Sequence, residues 1–295
     1  MDLFTDLPYV SSTGEPDSRN KFHEFDLYIP RLSVASDQQP PLVCFIHGGA
    51  WRSEDKAEHS ALARSVSTYT GCPVAVPNYR LTPREPTPED TMQHPAHAED
   101  ILQFLTFVLD WPGPARHARV PFDPSKIYLM GHSCGAHMLS SIFLDSTSST
   151  PSLTPPLALL SAVQGIALSE GIYDIDLLLS SFPDYRQWFI ANTFGEWDSY
   201  VAFSTANISS RKGGEHIRWL IIHSKGDTLV DQHQSEIMYN HLLYIHKDAS
   251  RVLKNWEDLE EEHNAILRGD KFVRIVGEFM ISDGSRLSRL SQSTV

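Results

Sequence analysis

The 295-residue sequence has few cysteines, no long apolar run and a shortage of basic residues. Its three cysteines, Cys44, Cys72 and Cys134, are odd in number and spread along the chain, which favours free thiols and a reducing compartment. No apolar stretch approaches membrane-spanning length. The formal net charge is −13, from 24 Lys and Arg against 37 Asp and Glu. Because no basic patch is available to neutralise phosphates, we expect neither nucleic acid nor a membrane as a partner.

The beginning of the chain bears on its location. The first six residues lack both the basic and the apolar part of a secretion signal. Together with the cysteine usage, this indicates a cytoplasmic protein.

A serine flanked by glycines is the most informative feature that the sequence does contain. The G-x-S-x-G pattern of residues 131–135 lies between an apolar run over 127–130 and a helical pattern over 136–144. This order predicts a strand, a sharp turn and a helix. Glycine is needed on both sides of such a turn because a side chain there would collide with the strand or the helix. Ser133 is therefore the predicted nucleophile.

A second motif, His-Gly-Gly-Ala-Trp over residues 47–51, follows a predicted buried strand over 41–46. In acyl-transfer enzymes, backbone N–H groups of such a loop join the N–H of the residue after the nucleophile to bind the negative oxygen of the tetrahedral intermediate. The predicted oxyanion hole consists of Gly48, Gly49, Ala50 and Cys134.

A serine nucleophile needs a histidine to take its proton and an acid to orient that histidine. The predicted strand over 218–223 ends in a turn that contains Asp227, and an acidic loop after a strand over 252–256 contains His263. The order Ser133, Asp227, His263 is that of the α/β-hydrolase fold. Asp231 is the alternative acid, although its position favours capping of the helix that begins near residue 232.

We expect no metal site. His94 and His97 have a spacing that could suit a metal, but no second pair of Cys, His or Glu with zinc spacing accompanies them.

The order of apolar strands and amphipathic segments predicts one domain over residues 1–295, with a mostly parallel sheet covered by helices on both faces. An aromatic-rich segment at about 180–210 is the candidate helical cap over the site, with ordinary surface helices as the alternative. Polar, serine-rich residues at 11–20 and at about 283–295 are expected to be poorly ordered, and 151–156 to form an exposed loop.

Four motifs together carry a resemblance to a known family. They are residues 47–51 (HGGAW), 77–81 (PNYRL), 93–100 (QHPAHAED) and 131–137 (GHSCGAH). In these motifs the chain closely resembles kynurenine formamidase (arylformamidase) of the fungal type, over about residues 42–263. The resemblance implies an α/β-hydrolase that cleaves N-formyl-L-kynurenine to kynurenine and formate in tryptophan degradation, with Ser133, Asp227 and His263 as its triad. It also implies a cytosolic enzyme without a cofactor that is often a homodimer.

Two further residues of the motifs are candidates for the substrate pocket. The formyl group is the smallest acyl unit, so its side of the pocket needs little room. We expect Trp51 and His132 to lie at the substrate pocket, with Trp51 narrowing its acyl side. A general carboxylesterase with the same triad remains an alternative, as does a non-catalytic ligand-binding protein that has kept the hydrolase fold.

Overall fold

The computed structural model describes residues 1–10, 20–31, 39–87, 89–114 and 120–292, with side chains up to residue 281. One sheet of eight strands forms its centre, in the order β1-β2-β4-β3-β5-β6-β7-β8. The strands are β1 Asp2–Pro8, β2 Glu24–Ile29, β3 Pro41–Ile46, β4 Val74–Pro77, β5 Asp123–His132, β6 Val163–Ser169, β7 Arg218–Ile222 and β8 Val252–Asn255. β1 and β2 pair antiparallel, as do β2 and β4, whereas the pairs from β4 through β8 are parallel.

The α-helices are α1 Ser60–Thr70, α2 Ala96–Asp110, α3 Cys134–Phe143, α4 Leu157–Ala162, α5 Ile175–Ser181, α6 Ala191–Phe194, α7 Gln232–Ile245 and α8 Asp270–Gln292. Helices α1 and α8 supply buried residues to one core cluster, and α2, α3 and α7 supply them to the other. The predicted mostly parallel sheet with helices on both faces is confirmed.

Alternation along the strands explains why the sheet must be covered on both faces. In β5, Leu129 packs in one core cluster, while its neighbours Tyr128 and Met130 pack in the other. Successive side chains of a strand point to opposite faces, so a strand that is apolar at every position is stable only between two layers of helix.

The register of the parallel strands positions the site. Ile46 pairs with Gly131, His132 with Ser169, and Ser169 with Ile222. The carboxyl ends of β3, β5, β6 and β7 therefore lie at one edge of the sheet. In open α/β sheets, ligands bind outside this edge.

The segment from 180 to 210 contains only short helical turns. They include a π-turn at Arg186–Ile190, helix α6, and 3₁₀ turns at Val201–Phe203 and Thr205–Asn207. A 3₁₀ turn, Pro151–Leu153, occupies the expected exposed loop. Helix α8 continues to Gln292, within the tail predicted to be poorly ordered over 283–295. Residues 293–295, and 11–19 of the other predicted polar segment, lie outside the described residues. In the described part of the chain, no helix combines the length and apolarity needed to cross a membrane.

Candidate active site

Ser133 occupies the turn between β5 and α3 with φ +53° and ψ −121°, a conformation that non-glycine residues rarely adopt. Its N–H donates to the Ser169 carbonyl oxygen at 2.9 Å, which ties the turn to the neighbouring strand β6. Both flanking glycines are sterically required. A Cβ on Gly131 would lie 2.9 Å from the main chain of Gly135, and a Cβ on Gly135 would lie 2.3 Å from the Ile46 carbonyl oxygen.

The loop after β3 passes directly beside this turn. A Cβ built on Gly48 would lie 3.0 Å from the Ser133 Cβ, so glycine permits the close approach. Gly49 and Ala50 both have positive φ, at +91° and +53°. This backbone brings both residues to the wall of the cavity that Ser133 also lines.

Three contacts fix the conformation of that loop. The Tyr79 hydroxyl, from the second resemblance motif, donates to the Gly48 carbonyl oxygen at 2.7 Å. The ring of His47 stacks on the Tyr79 ring with a centroid distance of 4.4 Å. The Trp51 N–H donates to Cys134 Sγ at 3.2 Å, so the cysteine contributes its sulfur as well as its backbone to the site.

Asp227 and His263 meet across the ends of β7 and β8. Nδ1 of His263 lies 2.7 Å from Oδ2 of Asp227. The other carboxylate oxygen, Oδ1, accepts from the N–H groups of Leu229 and Val230 at 2.8 and 3.0 Å. Every oxygen of this carboxylate is thus engaged, and the ring of His263 is held in one orientation.

The electrostatics of this pair follow from burial and from the hydrogen bond. Burial disfavours the imidazolium of His263, but the hydrogen bond to Asp227 and the charge of that carboxylate favour it, and the pKa of His263 is raised to about 9. Burial also opposes the charge on Asp227, yet its hydrogen bonds hold the pKa of that carboxyl well below its usual range. Asp227 is therefore the charged partner of His263.

Among the described residues, His263 has its hydrogen bond and ion pairs with Asp227 and Glu170, not with Asp231, the alternative acid. Asp231 occupies the N-cap position of α7, but its side chain makes no capping hydrogen bond, contrary to the expectation. Asp227 is the acid that the fold brings to His263.

Ser133 and His263 line the same cavity, which has a volume of about 310 Å³. The Ser133 side chain is buried but not sealed, at 7% exposure, and His263 is 6% exposed. Three aromatic residues of the 180–210 segment form part of the wall. The full lining consists of Gly49, Ala50, Arg52, Ser53, Glu54, Arg84, Ser133, Ile172, Tyr185, Trp188, Phe189, Leu229, Val230, His263 and Asn264.

The structure places neither Trp51 nor His132 in this lining, contrary to the sequence-based expectation. Trp51 is fully buried and packs edge-on against His137 and Phe194, because the positive φ of the loop turns its indole into the core. Gly48 and Cys134 are also absent from the lining, because the loop and the turn are pressed together there.

His132 lies outside the cavity lining and packs against His263. It is fully buried, its Nδ1 lies 3.0 Å from Ser169 Oγ, and its Nε2 lies 3.1 Å from Asn264 Oδ1. Its ring lies 4.6 Å from the ring of His263. Burial lowers the pKa of His132 to about 3. The ring of His132 is therefore neutral where it packs against His263.

Sequence reasoning missed Glu170, which lies directly after β6 with φ +53°. Its Oε2 lies 3.6 Å from Nδ1 of His263, and its Oε1 accepts from the Ser224 N–H at 2.8 Å. The carboxyl group is fully buried. An acidic residue immediately after an apolar strand, at the edge where Ser133 and Asp227 also emerge, was the signal that could have found it.

Comparisons with known proteins agree with the fold and with the motifs. A family described by its alpha/beta hydrolase fold matches residues 43–242. The kynurenine formamidase of Meyerozyma guilliermondii is 26% identical over 206 residues, which cover 68% of this chain and 70% of that protein. The kynurenine formamidase-like hydrolase of Fusarium equiseti is 25% identical, with 84% of each chain covered. The predicted resemblance to this group is thereby confirmed.

A solved structure supports the fold independently. Esterase B from Lactobacillus rhamnosis superposes with a TM-score of 0.71 at 17% identity, covering 99% of this chain and 89% of that one.

Proposed function

Because the chain belongs to the α/β-hydrolase family, we propose that it hydrolyses the formyl amide of N-formyl-L-kynurenine to kynurenine and formate. Relatives that carry the name kynurenine formamidase support this substrate. The observation that carries the proposal is that Ser133 and His263 line one cavity while Asp227 is hydrogen-bonded to Nδ1 of His263.

In the proposed reaction, Ser133 Oγ attacks the formyl carbon while His263 takes the hydroxyl proton. Because Nδ1 is bound to Asp227, Nε2 is the ring nitrogen left for this transfer. The N–H groups of the oxyanion loop and of Cys134 stabilise the negative oxygen as it forms. His263 then protonates the departing aryl amine, and water hydrolyses the formyl-enzyme by the same route.

The walls of the cavity favour an aryl leaving group. Tyr185, Trp188 and Phe189 line it on the side of the 180–210 segment, and Ile172 and Leu229 add apolar surface. Aromatic rings pack favourably against one another in offset or edge-on arrangements. A formyl group needs little room beside Ser133, so most of the cavity serves the leaving group.

The decisive experiment compares purified protein and its Ser133→Ala variant on N-formyl-L-kynurenine and on p-nitrophenyl acetate. We expect kynurenine to be released by the unmodified protein, with kcat/KM higher for the formamide than for the ester, and both activities to be lost in the variant. Turnover of the ester alone would replace the proposal with a short-chain carboxylesterase. If neither substrate were turned over and a fluorophosphonate probe failed to label Ser133, the non-catalytic binding protein would be the correct description.

We also propose that the enzyme works in the cytoplasm. All three cysteines are free and buried, which suits a reducing compartment. The proposal that the protein is a homodimer rests on the resemblance alone. Sedimentation velocity tests it by measuring the mass of the particle in solution.

A further inference from the structure

Two arginines converge on the cavity that holds Ser133. Arg52 directly follows the oxyanion loop, and Arg84 lies after β4; both line the cavity. They are close enough that the charge of Arg84, after burial, is a cause of the lowered pKa of Arg52. One Arg52 N–H group donates to the Trp188 carbonyl oxygen, which holds this guanidinium beside the aromatic wall.

Neither guanidinium has an acidic partner among the residues that the structure describes. The acidic residue in the lining of this cavity, Glu54, accepts from His59 at 3.0 Å and lies 4.0 Å from His47. Two like charges brought together without a counter-ion repel each other, and the repulsion is relieved when an anion binds between them. In a chain of net charge −13, such a pair creates a local positive site that can hold a carboxylate.

From this geometry we propose that Arg52 and Arg84 form a subsite for the carboxylate of an amino-acid leaving group. The assignment rests on the proposed function and extends it, because it separates aryl formamides that carry a carboxylate from those that lack one. Guanidinium groups bind carboxylates through paired, charge-assisted hydrogen bonds. The aryl ring would lie against Trp188, between Ser133 and the two arginines.

The test uses Arg84→Gln, because the described residues make no hydrogen bond with the Arg84 side chain that the variant would lose. The surface variant Lys212→Gln is the control for net charge. The substrates are N-formyl-L-kynurenine and 2′-formamidoacetophenone, which keeps the aryl formamide and lacks the amino-acid tail. We expect the ratio of kcat/KM for N-formyl-L-kynurenine over the substrate that lacks the tail to fall about tenfold or more in Arg84→Gln, through KM, and to stay constant in Lys212→Gln. An unchanged ratio in Arg84→Gln would overturn the subsite while leaving the formamidase proposal intact.

Calorimetric titration separates the two proposals further, since it needs no turnover. L-kynurenine should bind the unmodified protein about tenfold or more tightly than its decarboxylated amine, and Arg84→Gln should remove that preference. Equal binding of the two compounds overturns the subsite whatever the activity. If the unmodified protein turned over neither formamide but still preferred L-kynurenine to the amine, only the proposed function would be contradicted.

A different observation concerns Glu170 and stands independently of the substrate. Oxygen Oε2 of Glu170 is buried and accepts no hydrogen bond from the N–H and O–H groups of the described residues. The carboxyl groups of Glu170 and Asp227 and the imidazole of His263 offer atoms that all lie within 4.8 Å of one another. Two buried carboxyl groups so close together cannot both ionise beside a single imidazole without a large cost.

We infer that Glu170 is a positioning residue whose protonated carboxyl group donates to Asp227 and so leaves the charge on Asp227, where His263 Nδ1–H needs it. Burial is the largest cause that favours the neutral form of Glu170, and the hydrogen bond with Asp227 and the charge of Asp227 act in the same direction. Together they raise the pKa of Glu170 against the opposing hydrogen bond with His263. The other titratable groups that face this cluster are His132, His223, Tyr173 and Tyr185.

Three substitutions test this assignment. Glu170→Gln keeps the shape and a donor, and should recover most of the kcat that Glu170→Ala loses, with an acid limb of the kcat/KM profile at the same pH as in the unmodified protein. Glu170→Leu, of similar size without a donor, should resemble Glu170→Ala. If Glu170 were ionised instead, Glu170→Gln would move the acid limb to lower pH by removing a negative charge beside His263, and the assignment would be wrong.

Infrared spectroscopy of the unmodified protein and of Glu170→Gln provides a readout that does not depend on catalytic activity. At neutral pH the unmodified protein should show the C=O stretch of a buried protonated carboxylic acid, and this band should be absent in Glu170→Gln. Its presence in both proteins, or its absence from both, would contradict the assignment.

Discussion

A Cβ built on Gly135 would lie 2.3 Å from the main-chain oxygen of Ile46. The first turn of α3 is therefore pressed against the end of β3, and this contact sets the distance between the serine turn and the oxyanion loop. Real Cβ atoms do not approach a carbonyl oxygen so closely. The atom that this Cβ would meet belongs to the backbone, so it cannot move aside without distorting β3 or α3.

Gly135→Ala should consequently lower the free energy of unfolding by about 1–3 kcal/mol. It should also reduce activity, because the helix carrying the Cys134 N–H must shift. Gly269→Ala is the matched control, since a Cβ there would meet its nearest atom at an ordinary 3.5 Å. Denaturant unfolding of both variants measures the effect, and equal stability of the two would show that the contact is not limiting.

Ser133→Ala should reduce kcat/KM on N-formyl-L-kynurenine by at least about a thousandfold, because no other group can form the acyl-enzyme. Ser141→Ala is the control. Ser141 is buried in α3, the helix that follows the serine turn, and its hydroxyl donates to the His137 carbonyl oxygen at 2.9 Å, away from the cavity. Similar rates for Ser133→Ala and the unmodified protein would exclude Ser133 as nucleophile.

The two candidate acids can be separated by the same kinetic assay. Asp227→Asn should lower kcat by about a hundredfold or more, since the amide cannot stabilise the imidazolium and favours the wrong ring tautomer. Asp231→Asn should change kcat less than about threefold, because its side chain makes no capping bond and the hydrogen bond to His263 comes from Asp227. The reverse order of effects would make Asp231 the acid.

The raised pKa of His263 predicts the direction of the pH dependence. His263 acts as a base only when neutral, and its pKa lies near 9 instead of the ordinary 6.5. The neutral fraction therefore grows as pH rises, so kcat/KM should increase from pH 6 to pH 9 with an apparent pKa above 6.5. A profile that is already flat above pH 6 would show that the hydrogen bond with Asp227 does not govern this titration.

Trp51 should affect stability more than acyl selectivity. Its indole is fully buried against His137 and Phe194, so Trp51→Ala should lower the free energy of unfolding by about 3–5 kcal/mol. Trp188→Ala is the control of equal size, because Trp188 is 51% exposed. If Trp51→Gly instead left stability intact and raised activity on longer acyl esters, the indole would have to lie at the acyl side after all.

Local pattern was sufficient to predict several elements. The apolar run after Pro41 predicted β3 with the bounds that the structure has, Pro41–Ile46. The edge strand β1, Asp2–Pro8, was missed, because exposed and half-buried residues alternate along it and it has no continuous apolar run. Side chains on an edge strand face solvent in part, so their composition resembles that of a loop.

The sequence by itself determined that a strained serine turn ends one strand and that a glycine loop ends another, because those conformations exclude most other residues locally. Only the tertiary structure decided which acid meets His263, that Glu170 joins them, and that Trp51 points away from the cavity. These outcomes depend on the alignment of strand ends from β3 to β8 and on the direction of single side chains. Such contacts join residues far apart in the chain, and no local pattern encodes them.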